Sequence, residues 1–404
     1  MGGASLWVLT SGSLAVHMDG FARELAGLGY AERTTAEHLR LMAHLSRWMA
    51  SNGLQSGDLT TERLDQFLKA RRDSGHTHRL SRRAMERLLN YLRGMELVPV
   101  ASQRDWSTPV ESLLASYHSY LVRERGLAPS TIRNYAEVAR QFLSGRAGTS
   151  GDELDGLSSV DVTQFVLREC RRRSVGTARN LITGLRSLLR FLYLEGRTKT
   201  PLAGAVPSLA GWRGGSLPRA LSQQHVARLL DSCERYTQVG RRDYAILKLL
   251  VRLGLRASEV AAIELRDIDW RRGEIMIRGK GSRQERLPLP VDVGEAVSNY
   301  LRDARRPVVE CRKLFLSVIA PIGGLTRCGI TDVVHHACDR ANLPRVGAHR
   351  LRHTAATEML SGGASLPEIG QVLRHRSLLT TAAYAKVDRI ALRGLAQPWP
   401  GGEG

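Results

Sequence analysis

Residues 347–353 read GAHRLRH, and four of these seven side chains can carry positive charge. On a helix, His349, Arg352 and His353 stand at positions i, i+3 and i+4 and share one face, whereas Arg350 points elsewhere. The stretch holds no acidic residue to form an ion pair with them. The sequence therefore concentrates positive charge on one turn of a helix, as a site for a ligand would.

Three interpretations of this cluster compete. In the first, the side chains form a solvated basic surface. In the second, His349 and His353 form a metal-binding pair, but the glutamate of the H-E-x-x-H motif is absent and Arg352 would repel a divalent cation. In the third, the ligand is an anion, because the guanidinium fork suits two phosphate oxygens and histidine can donate or move a proton.

Four further motifs in the C-terminal half favour the anion. GLRASE places Arg256 in a turn after a helix, and RGKGSR places Lys280 at the tip of a hairpin. LRHRS places His375 at the end of a helix, and TTAAYAKV offers Tyr384 nine residues after that histidine. Together they supply two more cations, a histidine and a phenol for a phosphate site.

The order and spacing of these motifs resemble the tyrosine recombinase (phage integrase) family over about residues 225–395. The family's catalytic domain carries an arginine in a G-L-R-x-[SG]-E turn, a lysine on a β-hairpin, H-x-L-R-H, a histidine in L-G-H and a nucleophilic tyrosine. The chain departs from this pattern at Leu373-Arg374-His375, where the family has a glycine. We expect Arg374 either to add a phosphate contact or to crowd the site.

Phosphodiester cleavage needs an in-line nucleophile, positive groups that neutralise the negative charge of the non-bridging oxygens, and a proton for the leaving oxygen. The sequence shows no acidic cluster of the two-metal kind, so we expect side chains to supply the charge, without metal or cofactor. Arg256 and Arg352 suit the non-bridging oxygens, and Lys280 is the candidate general acid for the 5′ oxygen. Tyr384 is the candidate nucleophile, since a phenol with a free pKa of about 10 needs such a cationic setting.

Other residues are candidates for supporting roles. His349 and His375 can accept the proton of Tyr384 or hydrogen-bond the phosphate from two sides. Glu259 matches the acidic residue of the family's turn and is expected to orient a neighbour; the alternative is an ordinary glutamate at a helix N-terminus. His353 is expected to support the site without reacting. If Tyr384 were only a packed helix residue, the next candidate nucleophiles would be Tyr300 and Tyr244.

The composition agrees with a nucleic-acid partner. Lys plus Arg number 59 against 39 Asp plus Glu, which gives a net charge of +20 and a pI of about 10.5. An anionic membrane surface is the weaker alternative, because no run of about 18 apolar residues predicts a spanning helix. The five cysteines are scattered without a C-x-x-C motif, and the N-terminus lacks the basic region of a signal peptide. We therefore expect a cytoplasmic protein with reduced thiols.

Two stretches read as linkers, 98–109 and the Gly- and Pro-rich 199–218. They divide the chain into segments 17–97, 110–198 and 219–395. The patterning predicts a mainly α fold with a small β-sheet or hairpin in the last segment. The family resemblance implies that the middle segment is a helical, SAM-like core-binding domain for DNA and that the last is catalytic, whereas the first has no counterpart in the minimal family plan.

The first two segments resemble each other. LGYAERTTAEHLRL aligns with RGLAPSTIRNYAEV at an offset of 97, which pairs Gly29 with Gly126. Basic runs at 69–83 and 168–180 fall at similar places in the two copies. Duplication of the core-binding domain and chance similarity between helical segments are the alternatives. As a duplicate, the first segment would add a DNA-binding or protomer-contacting module.

We therefore expect a site-specific DNA recombinase or integrase of a mobile genetic element, which cuts and rejoins strands through a 3′-phosphotyrosine intermediate. The resemblance implies double-stranded DNA as partner, two protomers on each site, four in the synapse, and accessory proteins or other recombinases. It also implies that the tail at 389–400 docks on a neighbouring protomer. The alternatives are a DNA-binding protein of the same fold that has lost cleavage, a metal-dependent nuclease and a type IB topoisomerase.

Overall fold

The computed structural model is mainly α-helical with one three-stranded sheet, which confirms the predicted fold class. The chain packs as two compact units, each discontinuous in sequence. The first unit draws on residues 1–56, 83–91 and 214–404, and the second on residues 57–82 and 92–213. None of the described helices is both long and apolar enough to cross a membrane. The described residues are 12–98, 109–144, 153–208, 220–279, 284–305, 311–374, 381 and 384.

Four helices make up the first segment. They are α1 (Met18–Gly27), α2 (Glu32–Ser51), α3 (Thr61–Asp73) and α4 (Arg82–Gly94). Gly29 turns the chain from α1 into α2 with a φ of +78°, a conformation that a residue without Cβ adopts at little cost. Apolar residues at helical spacing face inward along both helices, which is why this part of the chain folds as amphipathic α-helix.

The second segment has the same order of elements. It comprises α5 (Pro109–Arg123), α6 (Pro129–Ser144), α7 (Ser159–Cys170) and α8 (Val175–Leu194). Gly126, between α5 and α6, has a φ of +54°, as its aligned partner in the first segment also has a positive φ. Each segment also has a 3-10 turn between its second and third helices. The shared order agrees with a duplication, which stays a prediction.

The predicted linkers are only partly described. Leu202 and Val206, within 199–218, are buried in the same apolar core as the helices of the second segment. This part of the predicted linker therefore belongs to the helical core of that segment. The rest of 199–218 beyond residue 208, most of 98–109 and the predicted docking tail at 389–400 lie outside the described residues.

In the last segment, the central helix (Gln238–Arg252) packs among further helices, and these helices share with the sheet a core built largely from leucine, isoleucine and valine. The three-stranded sheet is antiparallel, its strands follow chain order, and alternate residues of its middle strand (Glu274–Arg278) point into the core. The helices are α9 (Gln223–Asp231), α10 (Gln238–Arg252), α11 (Ala257–Ala262), α12 (Val291–Asp303), α13 (Arg327–Arg340), α14 (Ala348–Ser361) and α15 (Leu366–Val372), and the strands are β1 (Ile268–Asp269), β2 (Glu274–Arg278) and β3 (Gln284–Pro288).

The turn after α10 is in close contact with the end of α15. Gly254 has a φ of +57°, and a Cβ built on it would lie 2.5 Å from Cδ2 of Leu373 and 3.4 Å from Cβ of Ala355. Leu373 is fully buried, so it has little room to move away. Glycine at this position therefore serves both the backbone conformation of the turn and its close approach to a second turn.

This packing predicts different effects for two glycine substitutions. We expect Gly254→Ala to lower the free energy of unfolding by about 3 kcal/mol, because it adds a packing clash to an unfavourable φ. Gly273→Ala is the matched control: its φ is +63°, and no other described atom lies within 4 Å of the added Cβ. The control should lose only about 1 kcal/mol in urea denaturation. Equal losses in the two variants would show that Leu373 yields without cost.

Candidate active site

Arg256 and Glu259 form a cap at the start of α11. The carboxylate of Glu259 accepts the backbone N–H of Arg256 at 2.8 Å and its Nη1 at 2.6 Å. Glu259 is only 2% exposed, while the Arg256 side chain is 39% exposed. Burial raises the pKa of the Glu259 carboxyl, but the charge of Arg374 and the hydrogen bonds from Arg256 outweigh it, so that the pKa lies below its ordinary value. Arg256 is thus held at one end and open to solvent at the other.

Arg352, on α14, is buried beneath the site with 1% of its surface exposed. Its Nη1 donates to the carbonyl of Gly254 at 2.6 Å, and its Nη2 donates to the carbonyl of Leu373. Burial and the nearby charge of Arg256 lower its pKa to about 10, so it remains charged at neutral pH. A guanidinium has five N–H donors, and these two hydrogen bonds use two of them within the described part of the chain.

Two histidines on α14 lead from the surface to the candidate nucleophile. The rings of His349, which is exposed, and His353 lie 4.4 Å apart edge to face. Nδ1 of His353 is 2.8 Å from the hydroxyl of Tyr384, which is 2% exposed and packs against Ile369 and Leu373. The sequence offered His349 or His375 as acceptor of the Tyr384 proton; in the structure the histidine in contact with the phenol, among the described residues, is His353.

The protein environment keeps both rings uncharged and the phenol protonated at neutral pH. Burial, then the neighbouring His349 and Arg352, lower the pKa of His353 to about 4. The pKa of His349 is also lowered, by loss of hydration and by the charges of Arg352 and Arg256. Burial raises the pKa of Tyr384, although the two arginines act in the opposite direction. The arginines are therefore the positive groups of the described site.

Arg374 behaves differently from either expectation drawn from the sequence. Its Nη2 donates to Glu259 at 2.8 Å and its Nη1 to the carbonyl of Val372 at 2.9 Å. The side chain is 5% exposed, so it is neither a surface phosphate contact nor a group left to crowd the site. Its backbone has a φ of +55°, which is the conformation that a glycine would adopt most easily.

Two predicted site residues, Lys280 and His375, lie outside the described residues. Strand β2 ends two positions before that lysine at Arg278, which is held by two hydrogen bonds to Asp267 at 2.5 and 2.6 Å. Among the described residues, no three or more His, Cys, Asp or Glu side chains are grouped to hold a metal ion.

The two alternative tyrosines have other contacts. Tyr300 is 3% exposed in the core, where its hydroxyl accepts the backbone N–H of Leu316 at 3.1 Å. The ring of Tyr244 lies beneath the cationic groups of Arg235 and Lys248, at 5.0 and 5.6 Å. Of the three tyrosines, Tyr384 is the one whose hydroxyl is hydrogen-bonded to a histidine in the described structure.

Comparison with known proteins identifies the family. A model of the phage integrase family matches residues 219–389, and one of the phage integrase N-terminal SAM-like domain matches residues 114–196. Integrase/recombinase y4rA of Sinorhizobium fredii is 41% identical over 395 residues, 96% of this chain and 95% of that protein. The chain belongs to the phage integrase family of tyrosine recombinases. Tyrosine recombinase XerC of Oceanobacillus iheyensis is 30% identical over 70% of this chain and 94% of its own length.

Solved structures agree on the fold of this tyrosine recombinase. XerH site-specific recombinase, in a post-cleavage complex with palindromic difH substrate, gives a TM-score of 0.56 at 19% identity over 82% of this chain and 93% of its own. A lambda integrase dimer bound to a COC′ core site gives 0.53 at 17% identity over 72% and 98%. The predicted family, fold and enzyme class are therefore confirmed. The protein is an enzyme that cuts and rejoins DNA strands, and the family to which it belongs does so without a metal ion.

Two contacts of this recombinase were missed by sequence reasoning, His353 with Tyr384 and Arg374 with Glu259. A signal existed for the first, because His353 follows His349 by four residues and shares its face. No local pattern signalled the second, whose partners are 115 positions apart.

The environment of His353 predicts its titration. Because the pKa of its ring is lowered to about 4, the ring should stay neutral as the pH falls from 8 to 5.5. The imidazole C–H signal that His353→Asn removes from a histidine-labelled NMR spectrum should therefore hold its chemical shift across that range. A signal that titrates with a midpoint near the ordinary value of about 6.5 would contradict the assignment.

Proposed function

We propose that Tyr384 attacks a DNA phosphodiester and becomes linked to its 3′ phosphate, with Arg256 and Arg352 as the phosphate-holding groups. The observation that carries this proposal is the hydrogen bond between the Tyr384 hydroxyl and His353, within reach of the charges of both arginines. A phosphotyrosine ester retains the free energy of the broken bond, so that the strands are rejoined without ATP.

The arginines divide the task of neutralising charge. Arg256 offers the exposed part of its guanidinium, while its Nη1 stays on Glu259. Arg352 offers the donors not used by the carbonyls of Gly254 and Leu373, from a guanidinium that those carbonyls hold in place. Donors fixed in advance stabilise a developing negative charge without reorganisation at the moment of reaction. Lys280 is proposed as the acid that protonates the 5′ oxygen, and His375 as a second hydrogen-bond donor to the phosphate.

Proton removal from the phenol falls to the histidines. Tyr384 is protonated in the resting protein, and a neutral imidazole can accept a proton. His353 holds the hydroxyl now, and His349 lies next to it, nearer the surface. We assign His353 the supporting role of holding the phenol and keep His349 as the acceptor when the phosphate is bound, because a bound phosphate would oppose the charges that lower its pKa.

We further propose that duplex DNA is the partner. The protein would bind each DNA site as a dimer and would form a tetramer in the synapse. The net charge of +20 supports a polyanionic partner, and the lambda integrase neighbour is a dimer bound to a core site. Segments 110–198 and 219–395 would be the core-binding and catalytic domains, and 17–97 an added DNA-binding or protomer-contacting module. We place the protein in the cytoplasm, where its five free cysteines would stay reduced.

We propose that the gene belongs to a mobile genetic element. The reaction would then be integration, excision or resolution.

The nucleophile is tested by Tyr384→Phe, which removes the attacking oxygen and keeps the ring. The substrate is a duplex selected from a random-sequence pool for binding, prepared with nicks at successive positions. The wild-type protein should be trapped as a covalent adduct in the presence of EDTA. The variant should bind this duplex within about threefold, because the arginines remain, and should form no adduct.

Two outcomes would contradict this account. An adduct that persists in Tyr384→Phe would move the nucleophile to another residue. Binding without an adduct in the wild-type protein, at every nick position, would favour the alternative of a DNA-binding protein that has lost cleavage.

The general acid is tested by Lys280→Ala on the same duplex. This variant should bind DNA as the wild type does and form the adduct at least about 100-fold more slowly, which is the size of a general-acid contribution. A 5′-bridging sulfur leaves as a thiolate and needs no proton, so it should restore most of the rate. A substrate with sulfur that is cleaved as slowly as the oxygen substrate would exclude Lys280 as the acid.

A further inference from the structure

Arg374 has an unfavourable backbone conformation for a residue with a side chain. Its φ is +55°, and it lies two positions after Val372, the last residue of α15. In this region L-residues suffer contacts between Cβ and the backbone, and glycine does not. The side chain must therefore gain something that glycine would lack, and its contacts show what that is.

The guanidinium of Arg374 turns back into the protein. It donates to Glu259 and to the carbonyl of Val372, and its Nε has no hydrogen-bond partner among the described residues. With 5% and 2% of their side chains exposed, Arg374 and Glu259 form a buried ion pair. Removal of one partner from such a pair leaves the other charge buried without compensation.

Glu259 is shared between two arginines. Oε2 accepts Nη2 of Arg374 and the backbone N–H of Arg256, while Oε1 accepts Nη1 of Arg256. The carboxylate therefore connects the end of α15 to the arginine that opens α11. Arg374 neutralises the carboxylate from the buried side, and among the described residues the Arg256 side chain is attached by a single hydrogen bond, with 39% of its surface exposed.

We propose that Arg374 is a positioning residue for DNA cleavage: it fixes the Glu259 carboxylate so that Arg256 presents its remaining donors to the scissile phosphate. This inference rests on the proposed function of Arg256. Arg374 itself contacts no substrate. It also ties down the turn that leads into His375, the next residue of the chain.

The ion pair also affects the pH at which the Glu259 carboxyl becomes protonated. The charge of Arg374 helps to hold the pKa of Glu259 below its ordinary value against the effect of burial. Without Arg374, burial would act on the carboxyl with less opposition and its pKa would rise. As pH falls, the carboxyl would then be protonated earlier, and the hold on Arg256 would be lost at a higher pH than in the wild type.

The test measures the rate of adduct formation in a single turnover, on the nicked duplex that the wild-type protein selects. Arg374→Gly suits the local φ and removes the ion pair. It should bind the duplex within about threefold, because the buried arginine contacts no phosphate. Its rate should fall about tenfold or more, as misplaced catalytic groups slow a reaction. The low-pH limit of its rate should also lie at a higher pH than that of the wild type.

Two further variants separate positioning from folding. Asn342→Gly, at a φ of +51° on the turn after α13, relieves a similar backbone conformation without touching the pair and should keep the wild-type rate. Arg374→Lys keeps the positive charge but lacks the guanidinium fork. It should retain the low-pH limit of the wild type and react faster than Arg374→Gly. Should Arg374→Gly not fold, the rate and pH limit of Arg374→Lys against the wild type decide the question.

The outcomes are distinct. A wild-type rate and a wild-type pH limit in Arg374→Gly would overturn this inference while the proposed function stands. Arg374→Lys with a low-pH limit raised as far as in the glycine variant would overturn it as well, because the charge would then have no effect on the carboxylate. A wild-type protein that forms no adduct would overturn the proposed function, and this inference with it.

Discussion

The site depends on one buried guanidinium. Arg352 donates to the carbonyls of Gly254 and Leu373, and so joins the turn before α11 to the turn after α15. The desolvation of a buried charge is unfavourable by several kcal/mol unless its hydrogen bonds are made, and here two carbonyls make them. The same two turns touch through Gly254 and the Leu373 side chain, and are tied again by Arg374 and Glu259. Segments far apart in sequence are thereby held in one geometry.

This arrangement determines the state of the other groups. Arginines stay charged when buried, whereas burial together with the neighbouring His349 and Arg352 lowers the pKa of His353 to about 4. The phenol of Tyr384 is buried against α15 and stays protonated. The resting protein therefore holds positive charge beside a neutral phenol. A bound phosphate would compensate the arginine charges that lower the pKa of His349, so that this imidazole would accept the phenol proton more readily when DNA is present.

Much of this could be predicted from the sequence, because its signals are local. Helical spacing placed His349 and His353 on one face, and the residue type of Gly254 marked the turn after α10. Side-chain reach was not predictable in this way. The path of Arg374 to Glu259 depends on how α15 packs near α11, and the contact of His353 with Tyr384 depends on the packing of that tyrosine against α15. The resemblance to a family predicted the candidate reacting residues, but not these supporting contacts.

The central claim is that Tyr384 carries the DNA in the covalent intermediate. The trapped adduct can be digested with nuclease and trypsin and its peptides sequenced by mass spectrometry. Cleavage after Arg376 and Lys386 releases SLLTTAAYAK, in which Tyr384 is the single tyrosine. If Tyr384 is the nucleophile, the added nucleotide phosphate is found on this peptide, at Tyr384. A nucleotide attached to a peptide that contains Tyr300 or Tyr244, with residues 377–386 unmodified, would contradict it.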